Sequence, residues 1–211
     1  MKCQITVGKN AILMLLLVMS VAVGPAGAQN QTPVDSGPLP GTMKFIQDTL
    51  NNQATVAFDV HSQYGTSHIS YRISGATADM TSCTLRKSTA YEERYAGGQA
   101  LRDARTTMMP LKDIENILVE GGQDIFNRQG QSAATHTPEY YAVTLAASKP
   151  VFKAQYTATT VRDGQEFPAT SEVADKNDST LFADQDTADR VAKALTVAVK
   201  LCGGGQKGPS Q

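Results

Sequence analysis

The sequence predicts an α+β domain: an antiparallel sheet or partial barrel of about six to seven strands, preceded by a short helix and closed by a C-terminal helix. Three observations carry that expectation. Between residues 55 and 182, apolar and polar side chains alternate with a period of two in successive blocks, the pattern of half-buried strands. No helix-period block alternates with those strands, which argues against a doubly wound fold. After the last strand, Ala188, Val191, Leu195, Ala198 and Cys202 recur at helical spacing, with Asp189, Arg190, Lys193 and Lys200 off that stripe.

The 211 residues are 41% hydrophobic and 18% charged, enough apolar material for one core and too little charge for a disordered chain or a long coiled coil. Nineteen basic and 20 acidic residues leave a formal charge of −1, which excludes a nucleic-acid binder led by a basic surface. At the N-terminus, Lys2 and Lys9 precede the apolar run Ala11–Val23, too short for a comfortable membrane span. Gly24-Pro25-Ala26-Gly27-Ala28 then supplies a helix breaker and small residues for a signal peptidase, so residues 1–28 read as a signal peptide. The exported chain, periplasmic or secreted and without a membrane span, would begin at Gln29. Residues 29–41 read as a flexible leader, 42–203 as a single domain and 204–211 as a disordered tail. Cleavage removes Cys3 and leaves Cys83 and Cys202, and a lone cysteine pair outside the cytoplasm favours a disulfide.

Met43, Ile46 and Leu50 give a short amphipathic helix over roughly 42–52. Val56, Phe58 and Val60, then Ile69, Tyr71 and Ile73, mark two strands whose pairing around Tyr64-Gly65 matches Val60 with Ile69 and places His61 opposite His68. Further strands follow at about 77–91, with Cys83 and Leu85 on one face, and at about 102–111. Ile117–Glu120 forms another piece, ended by Gly121-Gly122. Residues 123–138 lack apolar periodicity and read as an exposed loop carrying Phe126 and His136. Tyr141, Val143 and Leu145 alternate, as do Phe152, Ala154 and Tyr156, and Arg162-Asp-Gly-Gln165 supplies a hairpin turn. Residues 169–179 are polar, Asp175-Lys-Asn-Asp178 reading as a solvated turn. A last strand at Ser179–Phe182 precedes the terminal helix, which Asp184 or Asp186 can cap and Gly203-Gly-Gly205 stops.

Few residues are equipped for chemistry. The predicted hairpin puts His61, His68 and Asp59 on one face, and two imidazoles with a carboxylate can hold zinc or iron. The plainer reading of the same residues is the solvated face of a half-exposed hairpin. No Gly-x-Ser-x-Gly elbow and no phosphate-cradling glycine loop occurs. Glu92 and Glu93, adjacent on a strand, point to opposite faces and cannot act as a facing carboxylate pair. Tyr141 is expected in the core and Tyr140 outside it.

The element order is similar to the pleckstrin-homology-like architecture, with a cystatin-like curved sheet on a helix as the alternative, and either likeness implies a fold without an activity. The segments Met43-Lys-Phe-Ile-Gln-Asp-Thr-Leu50, Thr81-Ser-Cys-Thr-Leu85 and Leu181–Leu195 through Leu201-Cys-Gly-Gly204 resemble a group of uncharacterised secreted bacterial proteins. The resemblance covers under a third of the chain and implies an exported fold with the Cys83 and Cys202 pair. The sequence therefore favours a small exported domain, non-catalytic and without a cofactor, that binds a protein or small ligand through its long loops or the open face of its sheet. A metal-assisted hydrolase using His61 and His68, and a structural envelope protein, are the competing readings.

Overall fold

The computed structural model describes residues 39–131 and 133–205; the predicted signal peptide, most of the leader and the tail beyond 205 lie outside the described residues. The first helix, α1 (Leu39–Gln53), starts three residues earlier than its periodicity suggests, taking in what read as the end of the leader. Met43, Ile46 and Leu50 are buried on one side of it, while Lys44 and Asp48 form an i,i+4 ion pair in solvent.

Strands β1 (Thr55–Ser62), β2 (Gly65–Asp79), β3 (Thr84–Tyr95) and β4 (Ala100–Pro110) follow as a meander. A 3-10 turn, Leu111–Asp113, leads to β5 (Asn116–Gly121), α2 (Gly122–Arg128), β6 (Thr135–Thr137) and β7 (Tyr141–Ala146). The long hairpin β8 (Phe152–Arg162) and β9 (Gln165–Asp175) precedes β10 (Asn177–Phe182) and the closing helix α3 (Gln185–Leu201). The α+β expectation holds, with antiparallel pairing throughout and a C-terminal helix. Among the described residues, however, ten strands divide between two sheets, one ordered β6-β1-β2-β3-β4-β8-β9 and one ordered β10-β7-β5, and they do not close into a barrel. No described helix is long and apolar enough to cross a membrane.

The helices and the small sheet gather on one face of the large sheet. Ile73, Leu85, Met109 and Phe152 from the large sheet meet Val143, Leu145 and Phe182 from the small one, with Ile46 of α1 and Val191 and Leu195 of α3 completing the cluster. In β2 the inward positions run Ile69, Tyr71, Ile73 and then Ala76, because a bulge between Ile73 and Gly75 inserts one residue and shifts the alternation. Asp184 caps α3 by accepting from the Thr187 amide at 2.8 Å, and Ala188, Val191, Leu195 and Ala198 are buried as their spacing requires.

Cys83 and Cys202 are bonded to each other. Cys83 does not lie within a strand face as predicted; it sits at φ 50° in the turn between β2 and β3, and Cys202 caps α3. Gly204 and Gly205 do not belong to a loose tail: their amides bond to the carbonyls of Val199 and Ile114 at 2.8 Å, and a Cβ on Gly204 would collide with the Leu111 carbonyl.

Three further expectations are corrected. The first hairpin pairs Val56 with Tyr71 and Phe58 with Ile69, turning at Gln63-Tyr64, so the register is displaced by two residues while every side chain keeps its face. Gly65, at φ 118°, takes the backbone conformation that lets the chain turn there. Residues 123–138 are not an exposed loop, since α2 and β6 cover the edge of β1 and bury Phe126 and His136. Finally, 169–179 is not a polar connection: β9 and β10 continue through it with one break at Lys176, and Asp178 is buried instead of solvated.

Around α2 the packing leaves no room at Gly122. A Cβ there would lie 2.7 Å from His136 Nε2 and overlap the Tyr140 ring, both buried. Gly122→Ala is expected to lower stability by about 1 to 3 kcal/mol in urea unfolding; an unchanged midpoint would show that this small cluster repacks freely.

Candidate binding face

Among the described residues no helix packs on the face of the large sheet opposite the core, and its side chains form a grid fixed by strand register. One cross-strand row reads Thr55, Arg72, Ala90, Ala104, Thr157 and Thr170; the row beside it reads Ala57, Ser70, Glu92, Arg102, Thr159 and Pro168. On the other side, Ser88, Thr106, Gln155 and Glu172 form a row, followed by Arg86, Met108, Lys153 and Ala174. The first row has small side chains, Ala90 and Ala104, in its middle, while the rows on either side carry long ones, Glu92 and Arg102 in one and Gln155 and Glu172 in the other, so the face is uneven. Two depressions result. One of about 520 Å³ includes Ser70, Arg72, Ala90, Glu92, Arg102, Ala104 and Thr157 in its walls and floor. The other, about 590 Å³, is lined by Arg86, Thr106, Met108, Lys153, Gln155 and Glu172. They adjoin along β4 and β8, where Ala104 and Thr106, and Thr157 and Gln155, are same-face neighbours two residues apart.

Ion pairs organise the first depression. Glu92 accepts from Arg94 Nη2 at 2.8 Å and from Arg102 Nε at 2.9 Å, and Arg102 also reaches Glu166 at 2.7 Å. These hydrogen bonds hold the Glu92 carboxyl below the ordinary carboxylate range and the Arg102 guanidinium above its own. As predicted, Glu93 points the other way, where it accepts from the Tyr91 hydroxyl at 3.1 Å; burial first, and Glu93 second, push that phenol upward. In the second depression Gln155 donates to Glu172 at 2.7 Å and Ser88 and Thr106 share a hydroxyl contact of 2.9 Å. Among the described residues, Arg72, Arg86 and Lys153 form no ion pair.

The residues singled out for metal chemistry lie at the margin of this face. His68 faces Asp59, not His61: its Nδ1 stands 2.7 Å from Asp59 Oδ1, both half exposed. His61 faces Thr66 and meets its hydroxyl at 3.0 Å. The two-residue displacement of register is the reason, since it replaces the expected imidazole pair by one imidazole–carboxylate pair. No group of three His, Cys, Asp or Glu side chains among the described residues is placed to hold a metal ion.

The loop residues expected to touch a ligand are instead structural. His136 is enclosed by Phe126 edge-on at 5.4 Å, Tyr140 at 4.9 Å and Phe58 at 6.1 Å, and Phe58 stacks on Tyr140 at 4.3 Å. Tyr140, not Tyr141, is the more deeply buried of that pair, and burial pushes its phenol up to about 12. Its ring fills the space beside Gly122, which strict alternation along β7 could not reveal because Tyr140 precedes the strand.

Sequence reasoning also missed an ionic centre inside the core. Lys87, 1% exposed, donates to the Ser179 carbonyl and the Thr180 hydroxyl, each at 2.6 Å. Its Nζ is also 2.6 Å from Asp178 Oδ2, a close charge contact without hydrogen-bond alignment. Arg105 lies 4.0 Å from Asp178 and 3.0 Å from Asp175. The signal was available: Lys87 shares the inward phase of Leu85 on β3, as Asp178 shares that of Phe182 on β10.

Comparison with known proteins finds no matching family model, no matching curated protein and no matching solved structure.

Proposed function

We propose that this protein is an exported binding module that holds its ligand on the open outer face of the seven-stranded sheet, with no covalent chemistry of its own. The single observation that supports the reading is the uneven outer face: two adjoining depressions, over 500 Å³ each, whose linings combine small side chains such as Ala90, Ala104 and Thr106 with charged ones such as Arg72, Arg86, Glu92, Arg102 and Lys153. Both are in the size range of small-molecule sites, and six hydrogen-bonded strands, β1, β2, β3, β4, β8 and β9, hold their linings. Export is supported by the N-terminal apolar run with its small-residue cleavage pattern and by the Cys83–Cys202 bond, which persists in oxidising compartments.

A thermal-shift screen of the oxidised protein tests the reading, using panels of divalent metals, sugars, lipids, organic anions and peptidoglycan fragments. A ligand that prefers the native state raises the melting temperature. The double variant Ala104→Tyr with Thr106→Tyr fills both depressions with side chains that strands accept well. At least one compound is expected to raise the melting temperature of the native sequence and to lose that effect in the filled variant. A rise that survives filling, or a panel with no rise at all, overturns the assignment of this face.

A further inference from the structure

We infer that the second depression takes a small organic anion, a carboxylate or phosphate group carried on an apolar body; this rests on the outer face being the binding face. The argument begins with one cross-strand row. Arg86 on β3 and Lys153 on β8 are both direct register partners of Met108 on β4. Neighbouring strands are about 4.8 Å apart, so the two cationic residues stand roughly 10 Å apart with Met108 between them. Each side chain is long enough to reach an anion seated above the methionine.

The surrounding polar groups leave that position open. Glu172, the acidic residue in the lining, accepts from Gln155 at 2.7 Å and forms no ion pair with Lys153. Thr106 and Ser88 satisfy each other at 2.9 Å. Arg86 and Lys153 are thus left with their charge directed at a space of about 590 Å³, where paired donors bind carboxylate or phosphate oxygens by charge-assisted hydrogen bonds. Met108 adds the second half of the specificity. It is 48% exposed at the centre of a polar face, and its thioether offers contact to an alkyl or ring system attached to the anion. The lining contains no aromatic side chain, so the depression lacks the stacking platform on which a sugar ring sits.

Isothermal titration of the oxidised protein with octyl phosphate, octanoate, inorganic phosphate and octylammonium tests the inference. Octyl phosphate and octanoate are expected to bind one to one, and their relative affinities tell which head group the cations prefer. Inorganic phosphate is expected to bind more weakly than octyl phosphate, and octylammonium not at all. Arg86→Gln and Lys153→Gln, both on an exposed face where the fold does not need them, should each weaken octyl phosphate about tenfold. Binding that is unchanged in both variants, or equal for octyl phosphate and octylammonium, overturns the inference; equal affinity for phosphate with and without its alkyl chain removes Met108 from it. If no anion binds while another compound shows a thermal shift that filling abolishes, the anion assignment fails and the binding face stands. If no compound's shift depends on filling, the face itself is wrong.

Discussion

Lys87→Met is expected to cost the fold about 3 to 5 kcal/mol in urea unfolding at pH 7, because it strands the Asp178 carboxylate in the core. Asp178 is 6% exposed, and with Lys87 removed its nearest cation is Arg105 at 4.0 Å, which is already engaged with Asp175. The lost ammonium also abandons the Ser179 carbonyl and the Thr180 hydroxyl, which it had supplied with donors. The burial of Tyr71 beside this centre, which pushes its phenol upward, shows how little water reaches it. The double variant Lys87→Met with Asp178→Leu should recover most of the loss, since replacing both members of a buried ion pair by apolar groups of similar size is often close to neutral. A single variant costing less than 1 kcal/mol would show that water enters the core here. Equal losses in the single and double variants would trace the effect to packing around the alkyl chain instead of to charge.

Replacing Cys202 by Ser should have an effect of the same order by a different route. The bond closes a sequence separation of 119 residues, and the chain-entropy model assigns a ring of that size about 4 to 5 kcal/mol through restriction of the unfolded chain. For a domain of this size that corresponds to a fall in melting temperature of roughly 10 to 15 °C. Calorimetry of the oxidised protein against Cys202→Ser and Cys83→Ser measures it. Both variants should fall together, and a difference of only a degree or two would mean that the ends of the ring are already held in the unfolded state.

Much of this architecture was legible wherever one side of an element meets the core and the other meets water. The α3 stripe, its Asp184 cap, the Asp163-Gly164 turn and the alternation in the first halves of β1 and β8 all follow from that contrast, whereas β7 is buried on both faces from Ala142 to Leu145. Register was less legible, because a displacement by two residues keeps every side chain on its face; the position of Gly65 at the turn decided it, and with it the partners of His61 and His68. Burial of polar residues was least legible. Asp178 and His136 read as solvated, yet both are buried; Asp178 and the buried Lys87 meet across more than ninety residues of chain, and His136 is enclosed by its neighbours Phe126 and Tyr140 together with Phe58 of β1. The candidate face could not be read from local patterns at all, since its rows assemble residues from six strands, Thr55 on β1 to Thr170 on β9.

The bond between Cys83 and Cys202 turns β3 through α3 into a covalent ring, and leaves α1, β1 and β2 as a pendant arm. A single backbone cut at Asp163-Gly164, an exposed two-residue turn, would open that ring without releasing a fragment, since both halves remain joined through sulfur. Both walls of the second depression, Arg86 on one side of the cut and Glu172 on the other, would stay in the same molecule. A cut in the first hairpin, at Gln63-Tyr64, falls on the arm instead and leaves α1 and β1 attached only by packing and hydrogen bonds. Survival of a nick therefore depends on which hairpin receives it.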